Sequence, residues 1–401
     1  LIIKEIQMSD KITCKLCGAM VHSIQVHLKS NHPEETIEGY IRQFGEDVPL
    51  MSDMALQKLA ERRAAKEAES SQKIEMSGTK DEISTSSVIP QDAVVKKAFH
   101  EVFNLGNGKA AKSAKGEAIP ISVVANPAMP DMVPTLSNDY VYDIDELKNV
   151  ILALELNIPC YVWGHKGSGK SELLEQIAAR TGRPYMRVQH TVNTEESHIV
   201  GQWTVRDGQT VFELGPLPLA MINGWMYCAD EYDFSLPSVL SVYQAVLEGK
   251  SLVIKEADAA NRIIKPSPNF RFCGTGNTNG SGDETGLYQG TSIQNAANFD
   301  RFGVVIHKQY MKKAAESQIL VNRVGLVKED ADKMVDFAGL VREAYDGAKI
   351  SDVISPRTLI FAAKIGVKRG SFRQGIVLSF INKLSKVDRE IVDGLAQRVF
   401  G

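Results

Sequence analysis

The chain has 401 residues, 43% of them hydrophobic, and a formal net charge of -3. That length sets two or three folding units as the expectation, and the near-neutral balance excludes binding to nucleic acid through overall basicity. Five cysteines are too few and too unevenly placed for a disulfide framework, no apolar run reaches membrane-spanning length, and Leu1-Ile2-Ile3-Lys4-Glu5 lacks the layout of a signal peptide. The cytoplasm is therefore the expected compartment, with no membrane partner.

Residues 1–50 hold Cys14, Cys17, His27 and His32, a C-x2-C-x9-H-x4-H spacing. Two thiolates on a knuckle and two imidazoles about one helical turn apart can close a tetrahedral Zn²⁺ site, with His22 as an alternative ligand. The pattern looks like a bacterial zinc finger of the Ros/MucR kind, an expectation that extends to His27-Leu28-Lys29-Ser30-Asn31-His32. Only Lys11, Lys15, Lys29 and Arg42 are basic nearby, so protein docking is favoured over nucleic-acid binding, which stays a lesser alternative. Residues 51–69 are rich in helix formers and read as a helical extension. Residues 70–136 shift to Ser, Lys, Thr, Ala, Gly and Pro and read as a flexible linker, with one short helix near Asp92 to Asn104.

From Tyr140 onward strand and helix patterns alternate. Strands are expected at Cys160–Trp163, Tyr185–Val188, Trp225–Ala229, Asn269–Thr275 and Gly303–Ile306, in a parallel sheet covered by helices. The first strand runs into Gly164-His165-Lys166-Gly167-Ser168-Gly169-Lys170-Ser171, a complete GxxxxGK[ST] phosphate loop that opens a helix. Its backbone N–H groups and the helix N-terminus suit a nucleoside triphosphate, with Lys170 on the β- and γ-phosphates and Ser171 on Mg²⁺. A hairpin is expected around the turn at Asp207-Gly208, and a second between Leu252–Ile254 and Arg262–Ile264.

Trp225 to Ala229 is an apolar strand that ends in Asp230-Glu231, placing Asp230 to hold the metal through its water shell and Glu231 to polarise the attacking water. Asn277 follows the next strand, where it would position that water. Arg301 suits a finger that enters a neighbouring subunit's site, and Arg357, in Ser355-Pro356-Arg357-Thr358, suits a group folding back onto the phosphates. His190 and His198 stand isolated and read as structural or surface residues. Beyond residue 311 the pattern is helical, near 312–323, 328–345, 356–369 and 373–399.

This ordered set resembles the AAA+ ATPases, in the branch that holds MoxR-type ATPases and the metal-chelatase motor subunits, cobaltochelatase (CobS type) among them. Further residues carry the likeness: Gly215 to Ala220, Asp230-Glu231-Tyr232-Asp233, and Gly276 to Gly290 as its most specific stretch. The resemblance implies an αβα nucleotide-binding domain at 137–310, a helical lid at 311–401, ATP and Mg²⁺ as cofactors, and the first hairpin facing the pore of a ring. It also implies a homo-oligomeric ring, usually hexameric, and a metal-binding or von Willebrand-type partner subunit. The function so implied is ATP hydrolysis that remodels or drives a partner protein, as in the cobaltochelatase motor. The alternatives are a MoxR-like assembly ATPase and a nucleic-acid-associated ATPase recruited by the finger.

Overall fold

The computed structural model describes residues 11–34, 36–45, 48–52, 54, 92–106, 108–284 and 286–401. The chain divides into two compact units, Leu1–Ser87 and Val88–Gly401. The expected helical extension at 51–69 lies almost wholly outside the described residues, as does the linker up to 91.

In the first unit, β1 (Ile12–Thr13) and β2 (Met20–Val21) pair antiparallel. The turn between them is closed by the Gly18 N–H on the Cys14 carbonyl and the Cys14 N–H on that of Ala19. Helix Ile24–Asn31 follows, capped by the Ser23 hydroxyl, then Ile37–Phe44, capped by that of Thr36. Among the described residues of this unit, the buried apolar side chains are Ile12, Cys14, Ile24, Leu28 and Tyr40.

The second unit corrects the linker expectation over 92–136. Val94–Ala98 (β3) pairs antiparallel with Pro120–Val124 (β4), and the expected helix shrinks to Phe99–Val102. The hairpin is fastened to the nucleotide domain: the Glu155 carboxylate accepts from Ser122 and pairs with Lys96, while the Val124 N–H donates to the Thr181 carbonyl. Phe99 and Ile121 enter the same core as Leu147 and Leu174.

The remaining strands are β5 (Cys160–Trp163), β6 (Tyr185–Gln189), β7 (Gly201–Arg206), β8 (Gln209–Leu214), β9 (Met226–Asp230), β10 (Leu252–Val253), β11 (Ile263–Ile264), β12 (Arg271–Gly276) and β13 (Val304–His307). Five of them form a parallel sheet in the order β13-β5-β12-β9-β6. Both expected hairpins are present as β7–β8 and β10–β11.

Alternation along the sheet sorts its side chains between two cores. Tyr161, Tyr227, Phe272 and Phe302 share one. Cys160, Val162, Met226, Cys228 and Cys273 share the other, with residues of helices Ile144–Leu156 and Lys170–Arg180. Cys273 stands in register with Cys160 on one side and Cys228 on the other, so three thiols cross the middle of the sheet in a row. Burial pushes the Cys160 thiol up to about 12 and the other two well above the ordinary range, which keeps all three protonated and inert.

The lid comprises helices Lys313–Val324, Lys328–Asp346, Pro356–Arg369, Phe372–Ser379 and Lys386–Phe400. The single helix expected at 373–399 is two, because Phe380 leaves the helical path into the core and Ser385 caps a new start.

Candidate active site

The phosphate loop leaves β5 at Trp163 and enters its helix at Lys170. Gly167 adopts φ +70°, and a Cβ there would lie 2.6 Å from that of Ser355, so only glycine lets the loop approach the lid this closely. The Lys170 ammonium donates to the carbonyls of Gly164 (2.8 Å) and His165 (3.2 Å) and to the Asn277 side chain (3.0 Å). It is buried, and burial lowers its pKa to about 8. The Ser168 hydroxyl is buried with no protein partner, an orphan of the kind a bound phosphate oxygen would satisfy.

A cleft of about 820 Å³ opens over this loop. All of Lys166 to Ser171 line it, with Asp230, Glu231, Asn277 and, from the lid, Arg357. β12 lies between β5 and β9, which carries Asn277 from the end of one strand to Lys170 beside the other.

Asp230 is nearly fully buried, and its environment explains why it stays ionised. Burial alone would raise its pKa. The hydroxyls of Ser171 and Thr275 (2.5 Å each) and the Arg187 guanidinium (2.8 and 2.5 Å) outweigh that and hold the carboxyl below the usual carboxylate range. The Ser171 hydroxyl spends its hydrogen on Asp230 and keeps lone pairs for a cation, so this hydroxyl–carboxylate pair fits Mg²⁺.

Glu231 follows in the left-handed region, φ 52° and ψ 41°, a strained backbone for a non-glycine residue that turns its side chain away from the strand. Its carboxylate accepts from the Gln189 amide at 3.2 Å. Arg301 is not among the cleft-lining residues; it pairs with Glu248 at 2.7 Å.

Three contributors have no role in the sequence reading. Arg187 is the middle residue of β6, and the parallel pairing of β6 with β9 brings it to Asp230. Asp233, fully buried, accepts from the Asn277 N–H (2.8 Å), the Thr278 N–H (2.8 Å) and the Thr278 hydroxyl (2.9 Å), fixing the backbone that presents Asn277. Tyr288 touches the phosphate loop from a segment without regular structure, where no periodicity could reveal it. His190 is structural, as expected: buried, it donates from Nδ1 to the Val188 and Asp230 carbonyls, which leaves Nε2 to accept from the Tyr243 hydroxyl at 2.9 Å. His198 is exposed and caps its own short helix.

In the first unit, ligand atoms of Cys14, Cys17, His27 and His32 all lie within 4.8 Å of one another. His22 is not part of this cluster; its Nδ1 bonds the Ser52 hydroxyl at 3.0 Å. The Nε2 of His32 is buried and has no partner, and the Tyr40 hydroxyl, beside Cys14, accepts from the Lys15 N–H at 2.8 Å. Two thiols and two imidazoles gathered this closely are a donor set that would fit a zinc ion.

Residues 160–290 match the AAA domain of the dynein-related subfamily, and residues 316–399 match the CbbQ/NirQ/NorQ C-terminal region. The chain is 35% identical over 280 residues to the aerobic cobaltochelatase subunit CobS of Sinorhizobium sp, covering 67% of this chain and 83% of that protein. It belongs to the MoxR-type AAA+ ATPases. This ATPase is also 24% identical to protein NorQ of Paracoccus denitrificans, over 65% of its own length and 94% of NorQ. A putative ATPase structure from Cytophaga hutchinsonii covers 67% of the chain, with 92% of that structure matched, a TM-score of 0.38 and 17% identity. Membership of the family makes the protein an ATP hydrolase. Among the described residues no helix is long and apolar enough to cross a membrane.

Proposed function

We propose that this ATPase works as a homo-oligomeric ring, hexameric as in its resemblance class, whose ATP cycle remodels a separate partner protein. The position of Arg301 carries the reading. The protein's own cleft is furnished with Lys170, Asp230, Glu231, Asn277 and Arg357, whereas Arg301 lies outside it, tethered to an exposed-side glutamate. An arginine placed so can serve a neighbour's phosphates, where developing charge needs a cation.

In the cycle, Lys170 exchanges its carbonyl partners for phosphate oxygens, and Arg357 adds charge from the lid. Ser171 and Asp230 would hold Mg²⁺, which when bound neutralises charge on the phosphates. Glu231, released from Gln189, accepts a hydrogen bond from the attacking water and polarises it, while Asn277 orients that water. CobS is named as a subunit of a cobaltochelatase, and this supports a metal-handling partner subunit, with cobalt as that partner's cargo. The NorQ match and the CbbQ/NirQ/NorQ region support a second reading, an assembly ATPase with no metal-insertion role. The N-terminal module, with Zn²⁺ on Cys14, Cys17, His27 and His32, is assigned to docking that partner.

The test mixes two inactive variants. Arg301→Ala should bind ATP yet hydrolyse it at least about a hundredfold more slowly. Lys170→Ala should not bind ATP. Mixed subunits should regain turnover, because a wild-type Arg301 from one then faces an intact cleft on the other. Normal hydrolysis by Arg301→Ala alone rejects the shared site.

A further inference from the structure

Lys166 in the phosphate loop has both of its backbone polar atoms held by tyrosine hydroxyls. Its N–H donates to the Tyr288 hydroxyl at 3.0 Å, and its carbonyl accepts from the Tyr310 hydroxyl at 3.2 Å. The same Tyr288 oxygen lies 3.0 Å from Nδ1 of His165. Since that oxygen already accepts from Lys166, its own hydrogen is free for the imidazole, provided His165 is neutral. Burial lowers the His165 pKa and so favours the neutral ring, and burial pushes the Tyr288 phenol up to about 12, which keeps its hydrogen. The His165 ring also lies nearly parallel to that of Tyr310, at 13° and 5.8 Å between centroids.

The two tyrosines come from different places. Tyr288 belongs to the segment between β12 and β13. Asp233 pins that segment on either side of Tyr288: its carboxylate takes the N–H groups of Asn277 and Thr278 and its carbonyl takes the Ser292 N–H at 2.7 Å. The Tyr288 N–H is itself held by Asp283 at 2.8 Å. Tyr310 belongs to the approach to the lid, and the Arg342 guanidinium lies over its ring at 4.2 Å while pairing with buried Glu316 at 2.7 Å. The Lys166 ammonium reaches the lid directly, in an ion pair with Asp352.

We propose that Tyr288 and Tyr310 are positioning residues that clamp the Lys166 peptide and hold the phosphate loop in its phosphate-accepting shape before ATP arrives. Neither hydroxyl is asked to touch the reacting atoms. A glycine-rich loop left free would lose conformational entropy on binding, and the clamp removes that cost in advance. The clamp also joins the sensor segment, the phosphate loop and the lid through one residue. This explains what the distinctive Gly276 to Gly290 stretch contributes: a phenol delivered to the loop at a fixed point.

The experiment is steady-state hydrolysis and direct ATP binding by full-length Tyr288→Phe, with wild type alongside to verify the activity itself. Phenylalanine keeps the ring and removes only the hydroxyl, leaving a loop N–H without its acceptor. The dissociation constant and KM for ATP should rise about tenfold, with kcat at saturation changed less than about twofold. Tyr310→Phe should move KM in the same direction by about threefold, and the double variant should retain the same split. Unfolding without nucleotide is monitored for each. An unchanged KM in Tyr288→Phe, or a loss that falls on kcat alone, overturns the proposal. Should Tyr288→Phe not fold, Asp283→Ala, which loosens the segment behind Tyr288, must raise KM in its place, and a wild-type KM there overturns it equally.

Discussion

Lys170 is the residue at which local electrostatics and ligand binding meet. Its three donors are spent on two carbonyls and one amide, none of which carries a full charge. Burial is the largest influence and moves its pKa from 10.5 to about 8, against the pull of Asp233, Asp230 and Glu231. The unfolded chain binds this proton more tightly, so between about pH 8 and 10.5 folding releases it, and the nucleotide-free protein gains stability from this group as pH rises through that window. Triphosphate supplies the missing negative charge and should restore the ordinary pKa. Titration calorimetry at about pH 8.5 in buffers of different ionisation enthalpy should therefore show ATP binding accompanied by uptake of a fraction of a proton. Lys170→Met should show no such ATP-linked proton uptake. Proton-neutral binding by the wild type would mean that Lys170 is already fully charged in the free cleft.

Among the elements, the lid shows most directly how one residue sets a packing distance. Helix Phe372–Ser379 crosses helix Pro356–Arg369 with Gly375 against the carbonyl of Ala362, where an added Cβ would sit 2.1 Å away. Gly375→Ala should force the helices apart and cost about 1–3 kcal/mol, measured as a lowered melting temperature with the far-UV spectrum retained. The elements legible in the sequence were those with a local signature: the apolar runs of β5, β9 and β12, the phosphate loop, and Ser355-Pro356 opening its helix. The β3–β4 hairpin was not legible. Lys96, Lys97 and Pro120 break the alternation, and the acceptor that fixes it, Glu155, is remote in sequence. In the site, Lys170, Ser171, Asp230, Glu231 and Asn277 come together because strand order brings their strand ends side by side. The helpers Arg187, Asp233 and Tyr288 depend on tertiary approach, which spacing alone does not encode.

At the scale of the whole molecule, the two units differ in what stabilises them. Among the described residues, the first has five buried apolar side chains and a Cys/His cluster, the second two extended cores and a lid. Stripping metal with a strong chelator should therefore unfold the first unit and leave ATP turnover of the full chain intact, with metal content and turnover measured on the same sample. A chain that is metal-free as purified yet retains the first unit's fold would remove zinc from the account. The row of Cys160, Cys273 and Cys228 gives the protein an internal clock. These thiols, each shielded by the strands beside it, can meet a solvent-borne electrophile only when the middle of the sheet opens, whereas Cys17 is exposed throughout. The rate at which the slow three are alkylated thus reports how often the motor's centre comes apart, and comparing that rate with and without ATP reads how firmly an occupied cleft closes the sheet beneath it.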